Sequence, residues 1–209
     1  AADGTVTFDE ITYSEAGVHY YKVTEDAGQL GGVTYSKQSY TITVTVSDNE
    51  DGTLSAVADQ QLSDLVFTNT YAAAGTYTPA VKKVLNGRDL KSGEFSFTIT
   101  EVDENGDAVE NGYTSTKSNA ADGTVTFDEI TYSEAGVHYY KVTEDAGQLG
   151  GVTYSDQSYT IIVTVSDNEN GTLTASADRQ LDDLVFTNAY NAAGTYTPAV
   201  KKVLNGRDL

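Results

Sequence analysis

AVKKVLNGRDL runs from Ala80 to Leu90 and recurs unchanged from Ala199 to Leu209. Its centre, Val81-Lys82-Lys83-Val84-Leu85, alternates like a β-strand, in which every second side chain faces the same way. Val81, Lys83 and Leu85 therefore share one face, and Lys82 and Val84 the other. One lysine thus falls on a face whose other members are core residues. Either its stem lies along apolar surface with the charge in water, or the fold keeps it there for its chemistry.

Outward from this stretch, residues 1–90 match residues 120–209 at a fixed offset of 119, with nine differences that include Lys37/Asp156, Thr43/Ile162, Gln60/Arg179 and Thr70/Ala189. A period of that size belongs to a domain, not a solenoid repeat, so each copy is expected to have its own core. Small residues at Ala72-Ala73-Ala74-Gly75-Thr76, and again at 191–195, mark the expected linkers. The expected organisation is the C-terminal part of one repeat (1–71), a linker (72–76), a complete repeat (77–190), a second linker (191–195) and the first strand of a further repeat (196–209). With no methionine at position 1, the chain reads as a window on a longer array. The competing reading is strand donation, with 196–209 completing another molecule's front copy. That would leave Lys91 to Asn119 without a counterpart there.

Within the complete repeat the period is two throughout, which predicts strands over Tyr77–Leu85, Glu94–Val102, Tyr113–Thr116, Thr124–Ile130, Val137–Glu144, Ser158–Ser166, Thr172–Ala177 and Leu184–Tyr190. Asn105-Gly106, Asn170-Gly171 and Asp51-Gly52 suit type I′ hairpin turns. The expected fold class is all-β, an immunoglobulin-like sandwich in tandem array.

A net charge of −19 and a sequence pI near 4.1 argue against nucleic acid and anionic membranes as partners. Without cysteine there is neither a disulfide framework nor a thiolate metal site, and two isolated histidines make no metal cluster. The acidic stretches at Asp103–Asp107 and Ser47–Gly52 lack the spacing of a calcium loop and read as polar turns, as does the sequon at Asn170-Gly171-Thr172. His138 reads as a packed ring. No apolar run of membrane-spanning length, nucleotide loop or Ser/His/Asp arrangement is present, so no cofactor and no membrane insertion are expected.

Two more polar groups share the lysine's peculiarity. Glu144 lies on the strand face of Tyr140 and Val142, and Asn188 lies between Phe186 and Tyr190. Their copies are Glu25 and Asn69, and Lys202 copies Lys83. Burying any of these alone would cost several kcal/mol. Together they suggest a reaction. A lysine in an apolar interior loses the benefit of its charge, so a neutral, nucleophilic amine comes within reach. A carboxyl buried beside it is driven towards its protonated form and can hydrogen-bond an amide carbonyl. Attack of the amine on the Asn side chain, with loss of ammonia, would leave an amide cross-link.

The runs VKKVLNGRDLKSGEFSFTI, GTVTFDEITYSEAGVHYYKVTE, YTIIVTVSDNENGTL and LVFTNAY resemble the pilin isopeptide-linkage domain of Gram-positive surface proteins, related to the CnaB type. The resemblance covers the complete repeat and both partial ones. It implies an autocatalytic lysine–asparagine isopeptide bond, with Lys83 and Asn188 as the cross-linked pair, Glu144 as the catalytic group and Lys82 as the competing lysine. The function expected is structural: a repeat in the stalk of an extracellular, cell-wall-attached fibre, pilus or adhesin, partnered by identical repeats and turning over once only. Two alternatives are an adhesin module that gains avidity from repetition and a pilin that polymerises by strand donation or sortase linkage.

Overall fold

A computed structural model describes residues 3–206. The chain divides into two compact units, Ala1–Ala73 with Glu169–Thr172, and Ala74–Asn168 with Leu173–Leu209.

The first unit is built on β1 (Gly17–Thr24), β3 (Ser39–Asp48) and β4 (Leu54–Ala58), paired in that order. The two-residue strands β2 (Val33–Thr34) and β5 (Thr70–Tyr71) form a separate ladder. Its apolar face is open: Val6, Phe8 and Ile11 are 72%, 71% and 52% exposed, whereas their copies Val125, Phe127 and Ile130 are 0%, 3% and 6% exposed. The given sequence holds no counterpart in this unit of the strands that cover the second copy.

The second unit is a sandwich. Its strands are β6 (Gly75–Tyr77), β7 (Ala80–Asn86), β8 (Ser96–Val102), β9 (Thr114–Ser118), β10 (Thr124–Thr126), β11 (Ile130–Tyr132), β12 (Gly136–Glu144), β13 (Val152–Thr153), β14 (Ser158–Asp167), β15 (Leu173–Ala177) and β16 (Val185–Tyr190). One sheet has the order β10-β7-β16-β13 and the other β15-β14-β12-β8-β9, with β6 and β11 as a short extra pair. Strand β7 runs antiparallel to β10 and parallel to β16, so the first and last long strands of the repeat are hydrogen-bonded neighbours. Alternation decides what lies between the sheets. Val81, Val125 and Phe186 come from one sheet, and Phe97, Ile99, Val142, Ile161 and Val163 from the other, and each is fully buried. Phe186 meets Phe97 and Tyr159 edge-on, at 5.1 and 5.0 Å between ring centroids.

The alternating pattern locates every expected strand, with some differences. Thr78-Pro79 separates β6 from β7, because proline has no N–H for the ladder. The expected strand over Thr124–Ile130 is two strands, β10 and β11, broken at 127–129. Gly75 and Thr76, expected in a linker, pair with Tyr132 and Thr131. Residues 196–206 form no strand and are exposed, lacking here the neighbours that β10 and β16 give to β7. The hairpins are not type I′, which needs positive φ at both central residues. Gly106 and Gly171 have φ of 89° and 85°, but Asn105 and Asn170 do not have positive φ. The first turn is instead closed by Gly106 N–H on the Asp103 carbonyl, with Asp103 Oδ1 accepting from the N–H of both Asn105 and Asp107. That carboxylate serves its own turn. No helix among the described residues is long and apolar enough to cross a membrane.

Strand β7 is anchored at its central lysine. Lys83 N–H donates to the carbonyl of Gly123 at 2.7 Å, and a Cβ on Gly123, at φ 86°, would overlap the Lys83 carbonyl oxygen. Gly93, at φ 75°, has open space around it. Gly93→Ala is therefore expected to cost only the left-handed penalty, about 1–2 kcal/mol. Gly123→Ala adds the displacement of β7 and is expected to cost clearly more than that. Denaturant unfolding of both variants measures the difference, and equal losses would disprove the anchoring role of Gly123.

Candidate functional site

Strand β7 buries Val81, Lys83 and Leu85 and leaves Lys82 and Val84 half-exposed, so the parity of the strand separates the two lysines. Asn188 is on the neighbouring strand β16, opposite Leu85 in the register, and is 1% exposed. Glu144 ends β12 of the facing sheet, opposite Phe97 of β8. Lysine and asparagine thus come from one sheet, and the carboxylate reaches them from the other.

The three side chains touch. Lys83 Nζ donates to Glu144 Oε1 and Oε2 at 2.9 and 2.8 Å, and Asn188 Nδ2 donates to Glu144 Oε1 at 2.6 Å. Both charged side chains are sealed, at 0% and 1% exposure. The ammonium also sits 4.5 Å from the ring centroid of Phe95 and 5.7 Å from that of Phe97. Burial pushes the lysine below its ordinary pKa, against the opposing pull of the Glu144 hydrogen bonds and charge.

One expectation changes. The carboxylate contacts the nitrogen end of the Asn188 amide, not its carbonyl. The carbonyl oxygen, Oδ1, accepts the main-chain N–H of Ser155 at 2.7 Å. A main-chain N–H can only donate, so it determines which end of the carboxamide is oxygen. Glu144 is left spanning the amine and the nitrogen that would depart, which is the position for carrying a proton from one to the other.

Sequence reasoning missed the two phenylalanines, although Phe95 and Phe97 stand two apart and so share a face with each other. It also missed Asn119, 1% exposed, whose Oδ1 accepts from Phe95 N–H and whose Nδ2 donates to the Lys91 and Ala120 carbonyls. A spacing rule could have found the first pair. A lone Asn before a turn carries no such signal. His138 is a packed ring, 4.8 Å from Tyr132 and bonded through Nδ1 to Glu101 at 3.1 Å.

In the first unit, Asn69 Nδ2 donates to Glu25 Oε1 at 2.6 Å and Ser36 N–H donates to Asn69 Oδ1 at 2.8 Å. Asn69 is exposed and Glu25 half-buried. Lys202 lies in the exposed segment 196–206, after the last strand.

An amine and a carboxamide that both hydrogen-bond one carboxylate between the sheets of an all-β sandwich fit an isopeptide-type domain. The chain belongs to the family FctA, the Spy0128-like isopeptide containing domain, whose model matches residues 1–72 and 79–191 in tandem. A pilin of Streptococcus pyogenes serotype M1 is 47% identical over 45 residues, 21% of this chain and 13% of the pilin, so most of that relative lies outside the match. Among solved structures, the major pilin T3.2 of S. pyogenes serotype GAS13637 is 21% identical, over 86% of this chain and 69% of that one, with a TM-score of 0.27. A mutant of the S. pyogenes major pilin is 22% identical, over 87% and 73%, with a TM-score of 0.29. The assignment rests on the family match.

Removing the carboxylate isolates the effect of burial on Lys83. In Glu144→Gln the folded-state pKa lies below the unfolded one, so between the two values the unfolded chain holds more protons and stability rises with pH. The urea midpoint of Glu144→Gln is expected to climb as the pH rises towards about pH 10, near the ordinary lysine value. The climb should vanish in Glu144→Gln/Lys83→Met. A flat profile in the single variant would mean that the lysine is not desolvated.

Proposed function

We propose that this chain is a stretch of a repetitive, extracellular, cell-wall-attached shaft, pilus or adhesin stalk, whose repeats lock themselves with an intramolecular Lys83–Asn188 isopeptide bond. The contact of Lys83, Glu144 and Asn188 inside the sandwich carries this reading. Glu144 takes one proton from the lysine and the neutral amine attacks Asn188 Cγ; Glu144 then gives that proton to Nδ2 as the C–N bond breaks and takes the second proton from Nζ, ending as the neutral acid. One amide is formed and one ammonia leaves. The fold holds the reactants together, and such orientation can supply about 7–11 kcal/mol of a barrier. The reaction turns over once.

The units proposed are those expected from sequence: a complete repeat over 77–190, flanked by 1–71 and 72–76 before it and 191–195 and 196–209 after it. In this window Glu25 and Asn69 have no lysine on their own copy, and Lys202 has no glutamate or asparagine on its own. The partners of the central repeat are its identical neighbours. The bond ties the two ends of a loop of about 100 residues, which by the chain-entropy argument used for disulfides contributes roughly 4–5 kcal/mol.

The test is the mass of the whole chain under denaturing conditions, beside Glu144→Ala. The parent is expected to be lighter than its sequence by one ammonia, with Lys83 and Asn188 joined in the peptide map, and the variant to have its full mass. A folded parent of full mass would sink the reading. Covalent dimers joined through Lys202 and Asn69 would favour strand donation between chains.

A further inference from the structure

Glu144 sits on the nitrogen side of the Asn188 carboxamide, so it is not placed to stabilise the charge that develops on the oxygen when an amine adds to the carbonyl carbon. The group on that oxygen is the main-chain N–H of Ser155, at 2.7 Å. We propose that this N–H is the oxyanion donor of the cross-linking reaction, and that the short loop after β13 exists in part to aim it. The inference rests on the cross-linking reading.

The geometry comes from strand register. β13 pairs with the end of β16, Val152 opposite Tyr190 and Thr153 opposite Ala189, so the chain leaves the ladder beside Asn188. Tyr154, half-buried, then packs along the edge of the sandwich. Its hydroxyl accepts Leu149 N–H at 3.1 Å, its ring meets Phe95 edge-on at 5.7 Å, and Gly147 leaves room for it, since a Cβ there would overlap the hydroxyl. Ser155 Oγ accepts Gln157 N–H at 3.2 Å, closing the turn. Held from both sides, Ser155 N–H faces Asn188 Oδ1.

The first unit keeps the loop donor without a counterpart of Lys83, although there the N–H of Ser36 is shared with Glu25 Oε2 at 3.2 Å. Val33 pairs with Tyr71 and Thr34 with Thr70, and Ser36 N–H donates to Asn69 Oδ1 at 2.8 Å. The donor is therefore built by the loop and its short ladder, and the amine does not recruit it. A preorganised donor of this kind acts most where charge appears. As Lys83 Nζ bonds to Asn188 Cγ, the carbonyl π pair moves onto Oδ1 and the Ser155 bond strengthens. When that pair returns, the C–N bond breaks, Nδ2 leaves as ammonia with the proton carried by Glu144, and Glu144 takes the surplus proton from Nζ.

The test replaces Ser155 by its α-hydroxy acid counterpart during cell-free synthesis of the full chain. This exchanges one N–H for an ester oxygen and changes no side chain. Samples taken through time are quenched in acid and weighed, and folding is followed in parallel by protease resistance. The ester chain is expected to fold and accumulate in uncross-linked form, losing ammonia about 100-fold more slowly or worse. An ester chain that loses ammonia as fast as the parent would overturn the donor. So would an ester chain that does not fold, because the N–H would then be needed by the fold. A parent that loses no ammonia would instead overturn the cross-linking reading.

Discussion

A lysine ammonium without solvent exposure is the constraint around which this sandwich is organised. Leaving it unpaired would cost several kcal/mol, and a carboxylate brought in alone would cost as much again. Together on two short hydrogen bonds, with an aromatic face beneath and a carboxamide on the remaining side, they offset much of that cost. An ion pair is nevertheless a weak source of stability in such a place, because well-packed apolar residues often do as well. Conversion to an amide would change the balance. With ammonia departing neutral, one lysine proton would remain on Glu144 and no formal charge would be left between the sheets. Such a reaction would remove the unfavourable feature that makes it possible.

The two copies separate the parts of this arrangement. The first unit keeps the Glu–Asn contact and the loop N–H without the copy of β7, so the carboxamide and its immediate partners are set by local strand pairing. What it lacks is enclosure. Phe8, the copy of the buried Phe127, stands open, and Glu25 and Asn69 are in contact with water. Strands β7, β8 and β9 of the second unit therefore do two things at once. They bring Lys83, and they seal the interior that depresses its affinity for a proton. Tyr13 and Tyr21 still join their hydroxyls at 3.0 Å, as Tyr132 and Tyr140 do in the enclosed copy, which places that contact in the local framework too.

Much of this was legible because β-structure encodes facing direction at a period of two. The parity of Val81, Lys83 and Leu85 picks one lysine of a pair, and the same rule places Glu144 with Tyr140 and Val142 and Asn188 with Phe186. Near-identity at a fixed offset gives the repeat. Features made by main chain alone were not legible. β13 is two residues long and too short for any period, and the donor on Asn188 Oδ1 is a main-chain N–H that any residue but proline would supply at Ser155. The hairpins were misread for a related reason. Asn-Gly suits several turns, and the choice was made by the ladder on either side, which placed positive φ on Gly106 and left Asn105 in the ordinary region.

The topology adds a mechanical reason for the site's position. β7 and β16 are parallel neighbours; the chain enters the repeat through one and leaves through the other. Tension applied to the two ends would pull them in opposite senses along their shared ladder, loading its hydrogen bonds in shear. Lys83 and Asn188 lie on those two strands, within two register positions of one another, facing inward where water is excluded. A bond between them would route the force from strand to strand across a single amide and leave the intervening chain, with the whole of the facing sheet, outside the load path. Any other pair of strands in the sandwich would leave part of the core to be drawn out first.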